Sequence, residues 1–251
     1  MYQGFYQLTS GMLTQQRNLN TISGNMANTQ TAGYKAQTQV NSTFQEELWS
    51  RTGRYNKENP TSLDTRSTIT TAGTVYTDYS QGSLEETEGT YDFALEGDGF
   101  FAIQTDNGVE YTRNGAFSVD ENGRLMLDNI GYVIGADGGP ITVPDEDFTV
   151  DESGTFKDSD GNAFAQLDIV SIPDTGSLRR EDNGMYTSSS GATSITGQAK
   201  VLWQHLEKSN VDMTQEMVNM ISSQRSLQSA AQALKMYDQV LSQACSDVGK
   251  M

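Results

Sequence analysis

The C-terminal stretch from Ser209 to Cys245 constrains the fold more than any other part of the chain. Ten of its positions follow one another in unbroken steps of four and three residues, the spacing of a coiled-coil seam. No Gly or Pro interrupts the run before Gly249, so one helix of about 50 Å is predicted at 1.5 Å per residue. Asp212, followed by Gln215, is predicted to cap its first turn. The ten positions are Met213, Met217, Met220, Gln224, Leu227, Ala231, Leu234, Asp238, Leu241 and Cys245.

This seam is too weak to bury the helix against its own chain alone. Gln224 and Asp238 are polar, Ala231 is small, and three further positions are methionines. A long helix with a narrow and partly polar stripe is therefore predicted to need partner helices. Cys245, at the end of the seam, is predicted to be a small buried hydrophobic residue.

The N-terminal segment 1–28 repeats the pattern and also has one glutamine in its seam. Three glycines lie inside it, and each costs up to about 1 kcal/mol of helix stability relative to alanine. The segment is therefore predicted to order only against a partner helix. Gly33 is predicted to end it. Its seam positions are Met1, Phe5, Leu8, Met12, Gln15, Leu19, Ile22 and Met26.

The middle of the chain follows a different pattern. From Tyr91 to about Ser190, Gly-bearing turn signals recur every seven to nine residues through much of the stretch, with short apolar or alternating runs between several of them. This spacing predicts an all-β meander, sandwich or barrel-like module. The segment before it is rich in Thr and Ser and is predicted to be an extended connector.

The predicted fold class is α+β, with coiled-coil-forming N- and C-terminal helices on either side of the connector and a central all-β domain. The predicted divisions are 1–35 for the N-terminal helix, 36–90 for the extended connector, 91–200 for the β domain and 201–251 for the C-terminal helix. The two helices can pair, which would bring both termini to the same end of the molecule.

Charge limits the kinds of partner. The 251 residues carry a formal net charge of −17, which argues against nucleic acid or an anionic membrane. The first 45 residues contain no Asp or Glu and only Arg17 and Lys35 as bases, and the C-terminal stretch is also nearly neutral. Near-neutral ends would let identical copies bundle without repulsion. The alternative is that these polar helices are simply solvated.

Composition excludes several other classes. No apolar run approaches the roughly 18 residues of a membrane span, so no such span is expected. The start of the chain lacks a basic segment followed by an apolar one, so a cleaved secretory signal is not expected. A single cysteine excludes an internal disulfide framework and any cysteine-rich metal site.

Two motifs partly match the sequence patterns of known binding sites but lack other features that those sites require. Gly97 and Gly99 fit a dinucleotide fingerprint, but that motif needs a helix next, and the following residues are strand-like. A hairpin turn is predicted instead. Asp158 and Asp160 loosely suggest a calcium loop, but its glycine, Gly161, comes at the wrong position, so a solvated turn is predicted.

No catalytic group of residues stands out. His205 is the only histidine, which rules out a histidine-based metal site within one chain, and beside Trp203 it is predicted to have a packing role. A serine-histidine-aspartate arrangement remains open, but no nucleophile-elbow motif is present. The sequence therefore predicts a protein that is not an enzyme, with no cofactor, metal or small-molecule substrate.

Three motifs, one near each end and one in the centre, carry a further signal, because together they closely resemble the bacterial flagellar basal-body rod and hook proteins, the axial family. The central stretches are 95–101 and 111–118. The matching residues near the two ends are Asn25, Asn28, Thr31, Gly33, Tyr34, Lys35, Leu206, Glu207, Ser209, Asn210, Val211, Met220, Ile221, Gln224 and Arg225.

The resemblance implies a structural subunit of the flagellar rod, in the basal body outside the cytoplasmic membrane. It implies export through the flagellar type III apparatus, with copies of this chain and other rod or hook proteins as partners. The proximal rod is favoured over the distal rod or another axial position, and a stalked surface adhesin is the more distant alternative. The predicted assembly residues are Phe5, Leu8, Met12, Leu19, Ile22, Met26, Met213, Met217, Met220, Gln224, Leu227, Leu234 and Leu241.

Overall fold

The chain forms two compact units in a computed structural model that describes residues 2–43, 46–51, 61–67, 70–143, 148–181, 183–189 and 191–248. The helical unit contains both terminal helices and the strands between Gln37 and Asp78. The β unit contains Tyr79–Val211 together with the short segment Asn28–Ala36. The chain therefore passes from one unit to the other four times.

The described helices and strands alternate in a simple order, with one helix at each end and short strands between them. The helices are α1 (Tyr2–Ala27) and α2 (Met213–Val248), and one 3₁₀ turn spans Thr175–Ser177. The strands are β1 (Gln37–Thr43), β2 (Glu46–Arg51), β3 (Thr61–Ser67), β4 (Thr70–Thr77), β5 (Leu84–Glu86), β6 (Phe93–Glu96), β7 (Phe100–Thr105), β8 (Gly108–Thr112), β9 (Ser118–Val119), β10 (Leu125–Leu127), β11 (Gly131–Val133), β12 (Phe148–Val150), β13 (Thr155–Asp158), β14 (Ala163–Gln166), β15 (Ile169–Ser171), β16 (Leu178–Arg180), β17 (Tyr186–Ser188), β18 (Thr193–Ser194), β19 (Lys200–Trp203) and β20 (His205–Glu207).

In the helical unit, α1 and α2 pack against each other in antiparallel directions. Asn25 Nδ2 donates to Glu216 Oε1 at 2.9 Å, and Asn18 Nδ2 donates to Ser223 Oγ at 3.2 Å. Further along, a β-carbon added at Gly4 would lie 3.9 Å from the Tyr237 ring. These contacts are separated by seven residues, or twice seven, on both helices. The contacts recur at heptad spacing within one chain, but none of these residues is a position of the predicted seams, so the coiled coil stays a prediction.

Helix α2 begins where its predicted cap lies. Asp212 Oδ1 accepts hydrogen bonds from the backbone nitrogens of Thr214 and Gln215 at 2.9 and 3.2 Å, which confirms the N-cap. The helix starts at Met213 rather than near residue 201, because the residues before it form β19 and β20.

The strands between Gln37 and Thr77 pair in two antiparallel ladders. Strand β1 pairs with β4 from Gln37 opposite Thr77 to Thr43 opposite Thr70, and β2 pairs with β3. The strands of this Thr-rich segment are thus extended as predicted, and they satisfy backbone hydrogen-bonding groups by pairing with each other. The remainder of the predicted connector belongs to the β unit, where β5 pairs with β20.

The core of the β unit lies around a nine-stranded sheet. Its main order is β16-β17-β8-β7-β11-β10-β9, with β15 beside β7 and β18 beside β15. Strands β12, β13 and β14 form a separate meander, and β6 pairs with β19. The fully buried apolar side chains come from many of these short strands. The largest are Phe93, Leu95, Phe101, Ile103, Leu125, Val133, Phe156, Leu167, Ile169 and Met185.

The Gly97–Gly99 turn joins two strands that do not pair with each other. Strand β6 pairs with β19, and β7 pairs with β8, β11 and β15, so the predicted hairpin is wrong. The positive φ angles of Gly97 and Gly99, +95° and +147°, turn the chain from one sheet into another. The prediction of a strand after the motif is confirmed.

Among the described residues, neither helix is long and apolar enough to cross a lipid bilayer.

Candidate functional site

Three distant parts of the sequence meet at a buried ionic cluster in the β unit. The Glu207 carboxylate, whose side chain is fully buried, accepts from Lys35 Nζ at 2.5 Å and from Arg113 Nη1 at 3.3 Å. One residue comes from the N-terminal motif, one from the central motif and one from the C-terminal motif. The three stretches that carry the family resemblance are thus joined at a single carboxylate.

Backbone groups add further hydrogen bonds to these buried charges. Lys35 Nζ donates to the Ser80 carbonyl at 2.8 Å, and the Gly82 nitrogen donates to Glu207 Oε1 at 2.9 Å. Arg113 Nη2 donates to the Gly97 carbonyl at 2.7 Å. A buried charge is stable only when it is paired and hydrogen-bonded in this way.

Arg113 experiences two opposing electrostatic effects. Burial lowers the pKa of its guanidinium, and the nearby carboxylates of Glu207 and Asp98 partly offset that shift. The guanidinium also lies 5.3 Å from the centre of the Phe100 ring, a cation–π distance. The cluster thus places two cations against one anion in a site where solvent screens the charges little.

The N-terminal motif reaches the cluster through a left-handed glycine. Gly33 has a φ of +67°, and its nitrogen donates to the Glu207 carbonyl at 2.7 Å. A β-carbon here would lie 2.2 Å from the carbonyl carbon of Arg113. Only glycine meets both the conformational and the spatial requirement at this position.

The Ser209-Asn210-Val211 motif connects the cluster to neighbouring segments. Asn210 Oδ1 accepts from the Ala36 nitrogen at 2.7 Å, and its Nδ2 donates to Ser80 O and Oγ at 3.1 Å. The Val211 nitrogen donates to Ser209 Oγ at 3.3 Å. One asparagine side chain therefore holds together three segments of the β unit that are remote in sequence.

Two other motif residues shape the segment after α1. The Thr31 nitrogen donates to the Asn28 carbonyl at 3.2 Å, and the Tyr34 nitrogen donates to the Thr31 carbonyl at 3.3 Å. The Tyr34 ring then lies below the Arg180 guanidinium, 4.6 Å from ring centre to Cζ. Successive turns and a cation–π contact thus fix this segment on the β unit.

In the helical unit, Asn25 connects the last turn of α1 to the first strand. Its side chain accepts from the Gln37 nitrogen at 3.0 Å and donates to the Gln37 carbonyl at 2.8 Å, as a backbone strand neighbour would. Asn25 also donates to Glu216, so one buried amide connects α1, β1 and α2. This explains why the motif has asparagine at this position.

The predicted assembly residues fall into two groups. On α1, Ile22 is buried, and Phe5, Leu8, Met12, Leu19 and Met26 are half-buried. On α2, Met220, Leu227, Leu234 and Leu241 are half-buried, while Met213, Met217 and Gln224 are exposed. Ile221 and Arg225 of the family motif are exposed as well, and Leu206 is half-buried in β20.

The face of α2 that packs on α1 is turned slightly away from the predicted stripe. Ser223, Ala230 and Tyr237 are the more covered residues between the half-buried leucines, while Gln224, Ala231 and Asp238 are exposed. The side chains on this face complement those of α1, since Tyr237 lies against Gly4 and Ser223 accepts from Asn18.

The prediction that Cys245 is buried is wrong. The cysteine is exposed, because the helix register places Tyr237 beside Gly4, near the start of α1. Helix α2 continues to Val248, so its last turns extend beyond the first residues of its partner.

Sequence reasoning missed the ionic cluster itself. Ser80 and Gly82 contribute only backbone groups, and nothing in their side chains indicates such a role. The available signal was Lys35, which is one of only two charged residues in the first 45. An isolated charge in a neutral segment points to a specific partner, but the sequence does not identify Glu207 as that partner.

The described chain thus has two terminal helices with exposed apolar side chains and a β unit held by an internal ionic cluster. Three family profiles match this chain in order. "Flagella basal body rod protein" matches residues 5–35, "Flagellar hook protein FlgE/F/G D1 domain" matches 94–157, and "Flagellar basal body rod FlgEFG protein C-terminal" matches 204–246.

Relatives from several bacteria match along nearly the whole chain. The flagellar hook-basal body complex protein FlhO of Bacillus subtilis strain 168 is 31% identical, over 100% of both chains. The basal-body rod protein FlgG of the same strain is 30% identical, over 96% of this chain and 97% of its own. The rod protein FlgF of Mesorhizobium japonicum is 28% identical, over 94% and 93%.

The chain therefore belongs to the family of flagellar hook and basal-body rod proteins. The family resemblance of its terminal and central motifs is confirmed. Its relatives are structural proteins of the flagellar basal body, and this relationship supports the predictions that the chain is located there and is not an enzyme.

Replacing Lys35 with methionine is expected to lower the free energy of unfolding by about 3–5 kcal/mol, because Glu207 would lose its closest cation while remaining buried. The measurement is urea unfolding of the full chain. Lys208→Met is the matched control, since Lys208 pairs with Glu85 on the surface at 2.5 Å and should contribute less than about 1 kcal/mol. Equal losses in both variants would contradict the structural role of the cluster.

Gly33→Ala is expected to destabilise the chain by several kcal/mol, because the added carbon collides with the Arg113 backbone in addition to the strain of a positive φ. Gly138→Ala provides the comparison. Gly138 has a similar φ of +78° with nothing within 4 Å, so only the conformational cost of about 1 kcal/mol should appear. Thermal unfolding of both variants tests this, and similar melting temperatures would argue against the close approach at Gly33.

Proposed function

We propose that this chain is a structural subunit of the flagellar rod that self-assembles through its terminal helices into a torque-transmitting shaft. The observation that supports this most strongly is the row of exposed apolar side chains on α2. Val218 is 57% exposed, Ile221 51%, Met236 59% and Val240 64%. Large apolar side chains on a helix face that α1 leaves uncovered are typical of a surface that binds another protein.

The charge distribution favours the same proposal. Among the described residues of α1, Arg17 is the only charged one, and α2 carries acids and bases in similar numbers. Helices of this kind can be brought together in many copies with little electrostatic cost. The net negative charge of the chain lies in the central part of its sequence, outside the two helices.

A shaft built from one kind of contact needs two different surfaces on each subunit. Head-to-tail contacts of this type generate open helical assemblies, whereas self-complementary contacts close into dimers. Copies of this chain and other rod or hook proteins are the proposed partners. The half-buried and exposed members of the predicted assembly residues on α1 and α2 are the proposed contacts, whereas Ile22 is buried within the chain.

Export through the flagellar type III apparatus is part of the proposal. Shallow and partly polar helix faces suit a chain that has to remain soluble while unfolded and then order against its neighbours. Within the rod we propose the proximal part, with the distal rod or another axial position as the alternative. Immunogold labelling of isolated basal bodies would separate these positions.

Ile221→Asp is expected to abolish motility while leaving the chain folded, because this exposed position would place a carboxylate on the apolar surface. The measurements are swimming of a deletion strain complemented with the variant, and the presence of the variant in purified basal bodies. Gln215→Asp, an exposed substitution about 120° away around the same helix, introduces the same charge and should preserve motility.

Two results would count against the proposal. Normal swimming and normal incorporation of the Ile221→Asp chain into basal bodies would show that this surface is not needed for assembly. Recovery of the wild-type chain from the cell surface, but not from basal bodies, would favour an adhesin instead.

A further inference from the structure

A polar cleft lies between α1, β1 and α2 in the helical unit. It has a volume of about 380 Å³ and is lined mainly by amide and hydroxyl side chains. Among the described residues that line it, Glu216 is the only acidic one. Such a cleft can accept a cationic or strongly hydrogen-bonding group from outside.

One oxygen of this carboxylate is unsatisfied. Glu216 Oε1 accepts from Asn25, whereas Oε2 is buried and has no hydrogen-bond partner among the described residues. A buried carboxylate oxygen without a donor is unfavourable and calls for a specific explanation. A donor supplied by another molecule would remove this cost and gain the strength of a charge-assisted bond.

The opposite side of α2 carries a matching cation. Arg225 follows Glu216 by nine residues, which is roughly 180° around the helix and about 13.5 Å along it. Its side chain is exposed, and it forms no ion pair with any described residue. It lines a shallow groove with Val218 and Ile221, two of the exposed apolar residues.

We propose that Arg225 of one copy enters the polar cleft of the next copy and pairs there with Glu216. Because the two groups lie on opposite faces of one helix, each chain offers a donor on one side and an acceptor on the other. Such a contact is heterologous and repeats without closing, as an extended assembly requires. This inference rests on the proposed function and specifies one contact of it.

Arginine suits this role better than Lys235, the other base of α2. Its planar guanidinium offers several donors, so it can satisfy Oε2 and lining amide oxygens together, whereas lysine offers a compact point charge. The apolar groove around Arg225 adds buried area beside the ion pair. Because Oε2 is covered in the single chain, docking has to turn a lining side chain aside, and the long amide of Gln15 has the rotatable bonds to do so.

Sedimentation velocity on the full-length chain tests this pairing. The wild type should form oligomers that grow with concentration, and Glu216→Gln and Arg225→Gln should each weaken association at least about tenfold. An equimolar mixture of the two variants should give dimers that do not grow. One variant still offers Arg225 and the other still offers Glu216, so a single contact forms and leaves no complementary pair free.

Matched variants control for charge and folding. Asp238→Asn and Lys235→Gln make the same charge changes at exposed positions of α2 and should associate as the wild type does. Glutamine at position 216 retains the oxygen that Asn25 binds, and circular dichroism checks the fold. If Glu216→Gln unfolds, the exposed Arg225→Gln variant, compared with Arg225→Lys as a partial rescue, decides the matter alone.

Three outcomes would overturn the pairing: undiminished association of the Arg225→Gln chain, a mixture that behaves as the sum of its parts, or a wild-type chain that stays monomeric. Each is separable from the proposed function. If any of these outcomes is found and the wild-type chain is still recovered from basal bodies, only the proposed contact is refuted. If the wild-type chain is absent from basal bodies, the proposed function is refuted.

Discussion

The β unit depends on one buried carboxylate and the two cations that neutralise it. Glu207 would be prohibitively costly in the interior without Lys35 and Arg113, and those cations would be equally costly without it. The three residues are remote in sequence, so the cluster forms only when the N-terminal segment and the end of the β unit are both in place. Correct folding of the chain thereby depends on the neutralisation of these buried charges.

The segment between α1 and β1 owes its position to the same cluster. Gly33 and Lys35 bind Glu207 through the backbone and the side chain respectively, and Asn210 holds the Ala36 nitrogen. This short segment therefore belongs to the β unit although the residues on both sides of it belong to the helical unit. The family motifs at the two ends of the chain are thus largely explained by contacts within one molecule.

Much of this organisation was accessible from the sequence. Heptad steps, the Asp212 cap and the Gly-bearing turns predicted the helices and the β-rich centre, because each depends on local periodicity or local hydrogen bonding. The pairing of β6 with β19, the rotation of α2 and the Glu207 cluster could not be predicted. Each depends on which distant segments meet, and a single sequence holds no local signal for that.

The unequal lengths of the two helices have a practical consequence. Helix α2 has 36 residues and α1 has 26, and the surplus at the C-terminal end carries Cys245, the sole thiol of the chain, exposed to solvent. A fluorophore or spin label can therefore be attached at one defined place without altering the sequence. Its mobility would report directly on what surrounds the tip of α2, in the isolated chain and in any larger structure that contains it.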